Sequence, residues 1–341
     1  MVASAATPSG WVTHPWVEES AAEVRFGIGN GPRGDWSALS EFVAALEELG
    51  YDGYWSSDHP VLSPGCWTTL AALAASTRTI RLGSLVACVD YLNPVVLART
   101  ALDIDQISAG RLVVGLGIGD FAHEFSQMNL PWSSTQERQE RLGELIVLLR
   151  YLWGEGDGTP PVTAYGIDAP PLRPGPVQRP RIPLLIAGGG EKVTLRQVAQ
   201  YADASNFGEH TYTGGVRGKA AVVRRMEVLD QHCAYFDRPP ASVLRTHGTY
   251  PLVIAESPTR VAEKVERYLP PWVRELSTES LVAGTPDEAI AHFSRLLRAG
   301  LQYFIAFVYG NDLETIRLLA EKVIPEVRRL KFQAEAIAAV R

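Results

Sequence analysis

From Val24 onward the chain alternates two hydrophobic rhythms. Short apolar, β-branched runs are each followed by a longer stretch whose apolar positions recur at helical spacing, the patterns of a buried strand and of an amphipathic helix. "VRFGIG" (24–29) precedes "DWSALSEFVAALEELG", in which Trp36, Leu39, Phe42, Val43, Leu46 and Leu49 share a face and Gly50 supplies the stop. "GYWSSD" (53–58) leads to a helix from about Trp67 to Ser76. "IRLGSLVAC" (80–88) leads to one from Pro94, at the first helical position, to Ile107. "RLVVGLGIG" (111–119) leads to one from about Thr135 to Trp153. "IPLLIAGGG" (182–190) pairs with "EKVTLRQVAQYA", and "DASNFGE" (203–209) with a helix from about Gly215 to Phe236. "LRTHGTYPLVIAE" (244–256) pairs with "PTRVAEKVERYL". "PDEAIAHFSRLLRAG" then packs ahead of the last strand, "LQYFIAFVYG" (301–310), and "LETIRLLAEKVIPEVRRL" closes the series. Eight βα units in one chain predict an α/β fold, a closed parallel TIM (β/α)8 barrel with insertion segments at its C-terminal face.

The rhythm fails in a few places. Residues 154–180 hold seven prolines in a turn-rich string that reads as an excursion outside the barrel, and 271–284 is a second irregular stretch. Residues 1–23 read as a loose arm and 331–341 as a tail, leaving 24–330 as one domain. The bulk numbers change this picture little: 341 residues, 46% hydrophobic and 21% charged, suit an ordinary globular protein. A net charge of −6 with scattered Lys and Arg lacks the basic stripe of a nucleic-acid binder. Cys66, Cys88 and Cys233 are odd in number and widely spaced, which argues against a disulfide framework or a metal site and suits a reducing cytoplasm. The opening "MVASAATPSGWVTHPWVEES" reads as neither a signal peptide nor a membrane anchor. A cytoplasmic protein with a small-molecule substrate, and a homodimer as a further possible assembly, is the expectation.

The stretch "GRLVVGLGIGDFAHEF" (110–125) concentrates the candidate chemistry. Gly115, Gly117 and Gly119 raise the question of a dinucleotide fingerprint, which needs GxGxxG between strand and helix. Here the third-glycine slot holds Asp120, and three βα units come first. The better reading is that Gly117 and Gly119, at the mouth of the fourth strand, let a flat ring or phosphate approach the backbone. Asp120 and His123 then lie on the loop at the catalytic end of the barrel.

Several stretches together resemble the bacterial luciferase-like flavin and deazaflavin oxidoreductases. They include "RFGIG", "LEELGYDGYWSSDHP", "WTTLAALAASTRTIRLGSLV", "NPVVLARTALDIDQISAGRLVVGLGIGDFAHEF", "PVQRPRIPLLIAGGGEKVTLRQVAQYADASNFG" and "GTPDEAIAHFSRLLRAGLQYFIAF", and they run in family order after residue 24. The resemblance implies an enzyme holding FMN or the deazaflavin coenzyme F420 at the C-terminal ends of its strands. In deazaflavin members the histidine of the second-strand "SDH" lies near the reacting ring, which here is His59. An acid after the fourth-strand glycines gives or takes a proton, which here is Asp120, where many relatives carry Trp. The sugar-phosphate dehydrogenase branch has a further Trp four residues after the histidine; Ser63 stands there, which speaks against a sugar phosphate. That branch also has a non-prolyl cis peptide supporting the central ring, which falls on Leu85 and Val86.

These residues also have a reading of their own. Asp58 beside His59 favours an imidazolium, and Pro60 keeps the histidine out of helical geometry; the plainer alternative is a turn-capping histidine. Asp120 is a proton donor or acceptor, or else an Asx turn or N-cap. A phosphate-bearing cofactor needs an anion site, and Gly188, Gly189 and Gly190 open a helix whose free N–H groups favour negative charge, with Lys192 and Thr194 adding donors. The alternative there is a tight connection, with Glu191 as a cap. Asn206, Glu209 and Tyr309 point by position to the same mouth, Glu124 reads as a salt-bridge partner within its loop, and His210 and His247 as structural. The loops after strands one, two and four, the proline-rich excursion and 271–284 are expected to build the substrate pocket. The leading expectation is F420-dependent hydride transfer to or from a small organic substrate. The alternatives are an FMN-dependent monooxygenase using reduced flavin and oxygen, and a catalytically silent flavin carrier.

Overall fold

Strand positions are set by runs that bury both faces, as the sequence rhythm predicts for a parallel sheet sheathed in helices. The computed structural model describes residues 11–339, with side chains described to Lys331. In chain order the elements are α1 (Pro15–Ala22), β1 (Arg25–Gly31), α2 (Trp36–Glu48), β2 (Gly53–Ser56), α3 (Cys66–Ser76), β3 (Arg81–Ser84), β4 (Ala87–Cys88), α4 (Pro94–Ile107), β5 (Leu112–Gly117), α5 (Ala122–Gln127), α6 (Thr135–Leu152), β6 (Leu184–Ala187), α7 (Thr194–Tyr201), β7 (Ala204–Phe207), α8 (Gly218–Tyr235), β8 (Leu244–Thr249), β9 (Leu252–Ile254), α9 (Pro258–Tyr268), α10 (Pro271–Leu276), β10 (Val282–Gly284), α11 (Pro286–Leu297), β11 (Tyr303–Tyr309), α12 (Leu313–Leu318) and α13 (Ile324–Ala339). One parallel sheet runs β3-β2-β1-β11-β8-β7-β6-β5-β4 and closes through β3 against β5. Because β3 and β4 are one interrupted strand, the barrel has eight staves, the TIM barrel expected.

Two apolar layers hold it. Outward residues such as Phe26, Ile28, Leu82, Val114, Ile186 and Phe304 pack under the helices. The interior is a separate cluster of Trp55, Val113, Leu185, Ala204, Leu244, Tyr303, Ile305 and Phe307. Trp16 and Val17 belong to that interior cluster, and both are buried. The loose arm expected over 1–23 is therefore, from residue 15, a helix that plugs the barrel floor; residues 1–10 lie outside the described part. His14 caps it, with Nδ1 accepting from the Trp16 N–H at 3.1 Å and Nε2 donating to the Arg181 carbonyl at 3.0 Å, so the partners fix a neutral tautomer. Burial accordingly pushes the His14 ring below its ordinary titration range.

Three other expectations change. The seventh strand splits, because Pro251 has no N–H for the ladder: β8 stays in the barrel while β9 leaves to pair with β10. The stretch 271–284, read as irregular, contains α10 and β10, and its Val273, Leu281 and Ala283 pack with Tyr250 and Tyr309 at the rim. The excursion 154–180 lacks regular structure but runs along the outside of α4 and α6. Its backbone bonds to Arg99, Asp105, Gln106 and Glu144, and Gln178 reaches the Leu112 carbonyl. Its Tyr165 hydroxyl reaches the Arg141 carbonyl at 3.5 Å. The final helix also continues beyond 330, through a π segment at Leu319–Val323 and on to Ala339.

Candidate functional site at the barrel mouth

The loop after β2 carries Asp58 and His59, and the loop after β5 carries Asp120 and then α5, so both open at the C-terminal ends of the strands. These two loops meet through Glu124. Its carboxylate is fully buried and accepts from His59 Nδ1 at 2.9 Å, from the Val61 N–H at 3.1 Å and from the Tyr91 hydroxyl at 3.0 Å. An acceptor at Nδ1 fixes the ring and leaves Nε2 toward the mouth, where about a third of the His59 side chain is exposed. The partner of His59 is thus Glu124, which sequence reasoning treated only as an ion-pair member within its own loop. The available signal was its place one helical turn past Asp120.

Asp58, expected beside the imidazole, turns back into the wall and accepts from the Cys88 N–H at 3.3 Å. Burial pushes its carboxyl up to about 6, against the opposing pull of Cys88 and His59. Asp120 reaches the open rim, but the rim crowds its flanks, and that desolvation raises its titration range despite the nearby His59. A raised carboxyl at an open mouth is suited to carrying a proton.

The glycine run has a different cause from the one expected. Val113 faces the interior, so Gly115 and Gly117 do too. The Leu85–Val86 peptide is cis, at the position the resemblance implies. A Cβ on Gly115 would sit 2.1 Å from the Ser84 carbonyl oxygen, and one on Gly117 2.6 Å from Val86 Cγ2. At Gly119 it would meet Cys88 Sγ at 2.9 Å, with φ at +72°. Gly115 and Gly117 make room for the neighbouring strand's bulge and are two apart because they share one strand face, while Gly119 takes a left-handed turn just past the strand end.

After β6 the loop Gly188–Gly190 leads to α7, whose N-cap, Val193, offers no side-chain acceptor to the first turn. The Leu195 N–H bonds the Gly190 carbonyl at 2.9 Å, while the N–H groups that open such a helix ahead of it have no intrahelical partners. Lys192 is exposed beside them. Thr194 is buried and its hydroxyl accepts from Gln139 Nε2 at 3.1 Å. Glu191, expected as a cap, instead pairs with Arg224 and Arg225, so its charge is neutralised outside the loop. Gly189 is packed, since a Cβ there would lie 2.4 Å from Val216 Cγ2. The donor set fits an anionic tail: a glycine turn, a helix start with no side-chain cap and a lysine without an ion pair among the described residues.

The weaker candidates separate. His123 is exposed on α5. Asn206 is buried and donates to Thr246 Oγ1 at 2.8 Å. Glu209 accepts from the Gly218 N–H at 3.2 Å and faces Arg295 at 3.5 Å, over a cavity of about 310 Å³ bounded by Glu279, Ser280 and His292. Tyr309 does reach the rim, where its hydroxyl meets that of Tyr250 and the Arg33 guanidinium lies 5.5 Å from its ring centroid. Arg33 and Tyr250 had not been singled out.

Comparison with known proteins bears on this geometry. Residues 19–303 match the family model described as luciferase-like monooxygenase. The chain is 29% identical over 334 residues to an F420-dependent glucose-6-phosphate dehydrogenase of Amycolatopsis mediterranei (strain U-32), covering 88% of this chain and 96% of that protein. In fold it is similar to the coenzyme F420-dependent tetrahydromethanopterin reductase of Methanopyrus kandleri, with a TM-score of 0.71, 19% identity and coverage of 89% and 99% of the two chains. It is also similar to a monooxygenase of Streptomyces bottropensis, with a TM-score of 0.71, 21% identity and coverage of 88% and 99%.

Proposed function

The chain belongs to the luciferase-like monooxygenase family, and from that premise we propose that it is an F420-dependent oxidoreductase acting on a small organic substrate. The observation that carries the reading is the His59–Glu124 pair, an imidazole fixed at the mouth by a buried carboxylate that also binds a backbone N–H and a tyrosine hydroxyl. Bound at the mouth, the deazaflavin supplies the hydride chemistry. The chain supplies the rest. Gly188–Gly190, Lys192 and the start of α7 hold the anionic tail. Leu85 and Val86 bulge into the barrel where the ring is to be supported. His59 holds a proton at Nε2, kept in orientation by Glu124, and Asp120 exchanges one at the rim.

Titration of the purified protein with F420 and, separately, with FMN tests this, read by fluorescence quenching. Tighter binding of F420 is the expected result; micromolar FMN binding with no F420 response would favour the flavin monooxygenase instead. Lys192→Glu, at an exposed position, places a carboxylate beside the proposed tail site and is expected to weaken F420 at least tenfold with an unchanged unfolding transition. His59→Ala is expected to weaken it similarly, whereas Asp120→Asn, a rim residue, stays within about threefold. Equal losses in the two would remove the distinction between ring contact and proton exchange.

A further inference from the structure

The rim above the interior layer is a nearly continuous wall of rings. His59, after β2, lies 6.4 Å from Phe121, centroid to centroid, and Phe121 lies 6.1 Å from Tyr212, beyond β7. Tyr212 is 4.8 Å from His210, which is 4.7 Å from Tyr250, at the end of β8. Tyr250 is 5.9 Å from Tyr309, at the end of β11, and over Tyr309 stands Arg33 of the β1 loop. In barrel order β1 and β2 are adjacent, so the chain of contacts from His59 to Arg33 travels the long way round the mouth. His210 is buried, and burial holds its ring below its ordinary titration range against the pull of the Leu276 carbonyl, so at neutral pH it is one more uncharged plane.

Charge is as informative as the rings. Of the other arginines at this end, Arg141 is engaged by Asp90, Arg217 by Glu279 and Arg295 by Glu209, while Arg138, within electrostatic reach of Asp120, is buried over the Trp132 ring. Arg33 is exposed and donates to the Asn30 side-chain oxygen at 2.9 Å, and among the described residues no carboxylate lies within ion-pair distance of it. Arg33 is thus an exposed guanidinium of this rim without a carboxylate partner among the described residues, and one guanidinium matches a single carboxylate better than a dianionic sugar phosphate. A planar molecule with a single carboxylate meets flat faces along its body and a bidentate donor at its end.

We propose that this collar is the substrate site and that its substrate class is planar, aromatic or conjugated carboxylic acids, with the carboxylate on Arg33 and the body against Tyr309, Tyr250 and Tyr212. The assignment rests on the mouth being the F420 site.

The test uses the full chain with and without F420. Benzoate, trans-cinnamate and 2-naphthoate are titrated by calorimetry alongside their neutral amides and glucose 6-phosphate, in wild type, Arg33→Met and Tyr250→Leu. At least one of the three carboxylates is expected to bind at least tenfold more tightly than its amide. Arg33→Met is expected to abolish that preference while leaving amide binding unchanged, and Tyr250→Leu to weaken acid and amide together. Absence of binding by all three acids, a preference that survives Arg33→Met, or tighter binding of glucose 6-phosphate would each overturn the proposal. F420 binding is measured in the same samples: its loss from wild type would count against the cofactor reading, whereas F420 binding without acid binding counts against the collar alone.

Discussion

Asp58 is where burial and charge conflict most openly. It stands two residues past β2 with 8% of its surface exposed, facing the Cys88 N–H rather than a cation. Its folded-state value of about 6 exceeds the ordinary aspartate value of 3.8, so between those values the folded chain binds a proton that the unfolded chain has released. Stability attributable to this group therefore falls as pH rises from about 4 to about 6, by about 3 kcal/mol for a shift of that size. Asp58→Asn keeps an acceptor for Cys88 and cannot ionise. Urea unfolding at several pH values is expected to show the variant equal to wild type near pH 4 and more stable at pH 7; equal stability at both would mean that Asp58 is solvated. The same residue shows what sequence adjacency conceals. "SDH" puts Asp58 next to His59 in the chain, but the alternation of a strand end sends neighbouring side chains to opposite sides, and the imidazole finds Glu124 across the mouth.

At the scale of the element, legibility follows periodicity. Helix α4 was readable to its ends from Pro94 at its start and its apolar face, and the structure gives Pro94–Ile107. The Gly115, Gly117 and Gly119 run was legible as strand-end glycine but not as packing, because its cause lies in Ser84, Val86 and Cys88 of another strand. Helix α1 is the clearest loss: eight residues are too few for a periodic signal, and the two that matter, Trp16 and Val17, are adjacent. Its role is visible only once Trp55 and Tyr303 are seen to leave a floor unfilled, with Trp16 against them at centroid distances of 6.5 and 6.3 Å. Trp16→Ala should open a cavity there and destabilise the protein by about 3–5 kcal/mol, as for other buried large-to-alanine changes. Chemical denaturation measures it, and a loss below about 1 kcal/mol would mean that the plug is not part of the cooperative fold.

For the whole molecule, eight repeating units were legible because each strand is buried on both faces and each covering helix on one, a pattern that few folds share. What the rhythm did not carry was how the departing segment β9–α9–α10–β10 is fastened to the barrel, since that depends on one residue pair distant in sequence. Lys264 on α9 is fully buried. Its ammonium meets Asp312 at 2.8 Å, the Ile254 carbonyl at 2.6 Å and Thr315 Oγ1 at 2.9 Å, joining α9, β9 and the start of α12 at one point. Asp312 in turn caps α12 by accepting from the Thr315 N–H at 3.1 Å. A fully satisfied buried pair contributes little net stability over an apolar substitute, but removing one partner leaves the other charge stranded. Lys264→Met should therefore cost about 3–5 kcal/mol in denaturant unfolding. Adding Asp312→Asn, which keeps a capping oxygen and removes the stranded charge, should recover part of that loss, so the two changes are expected to be non-additive. Additive losses would mean that the two groups act separately, and that the segment beside Tyr250 and Tyr309 is held by its apolar contacts alone.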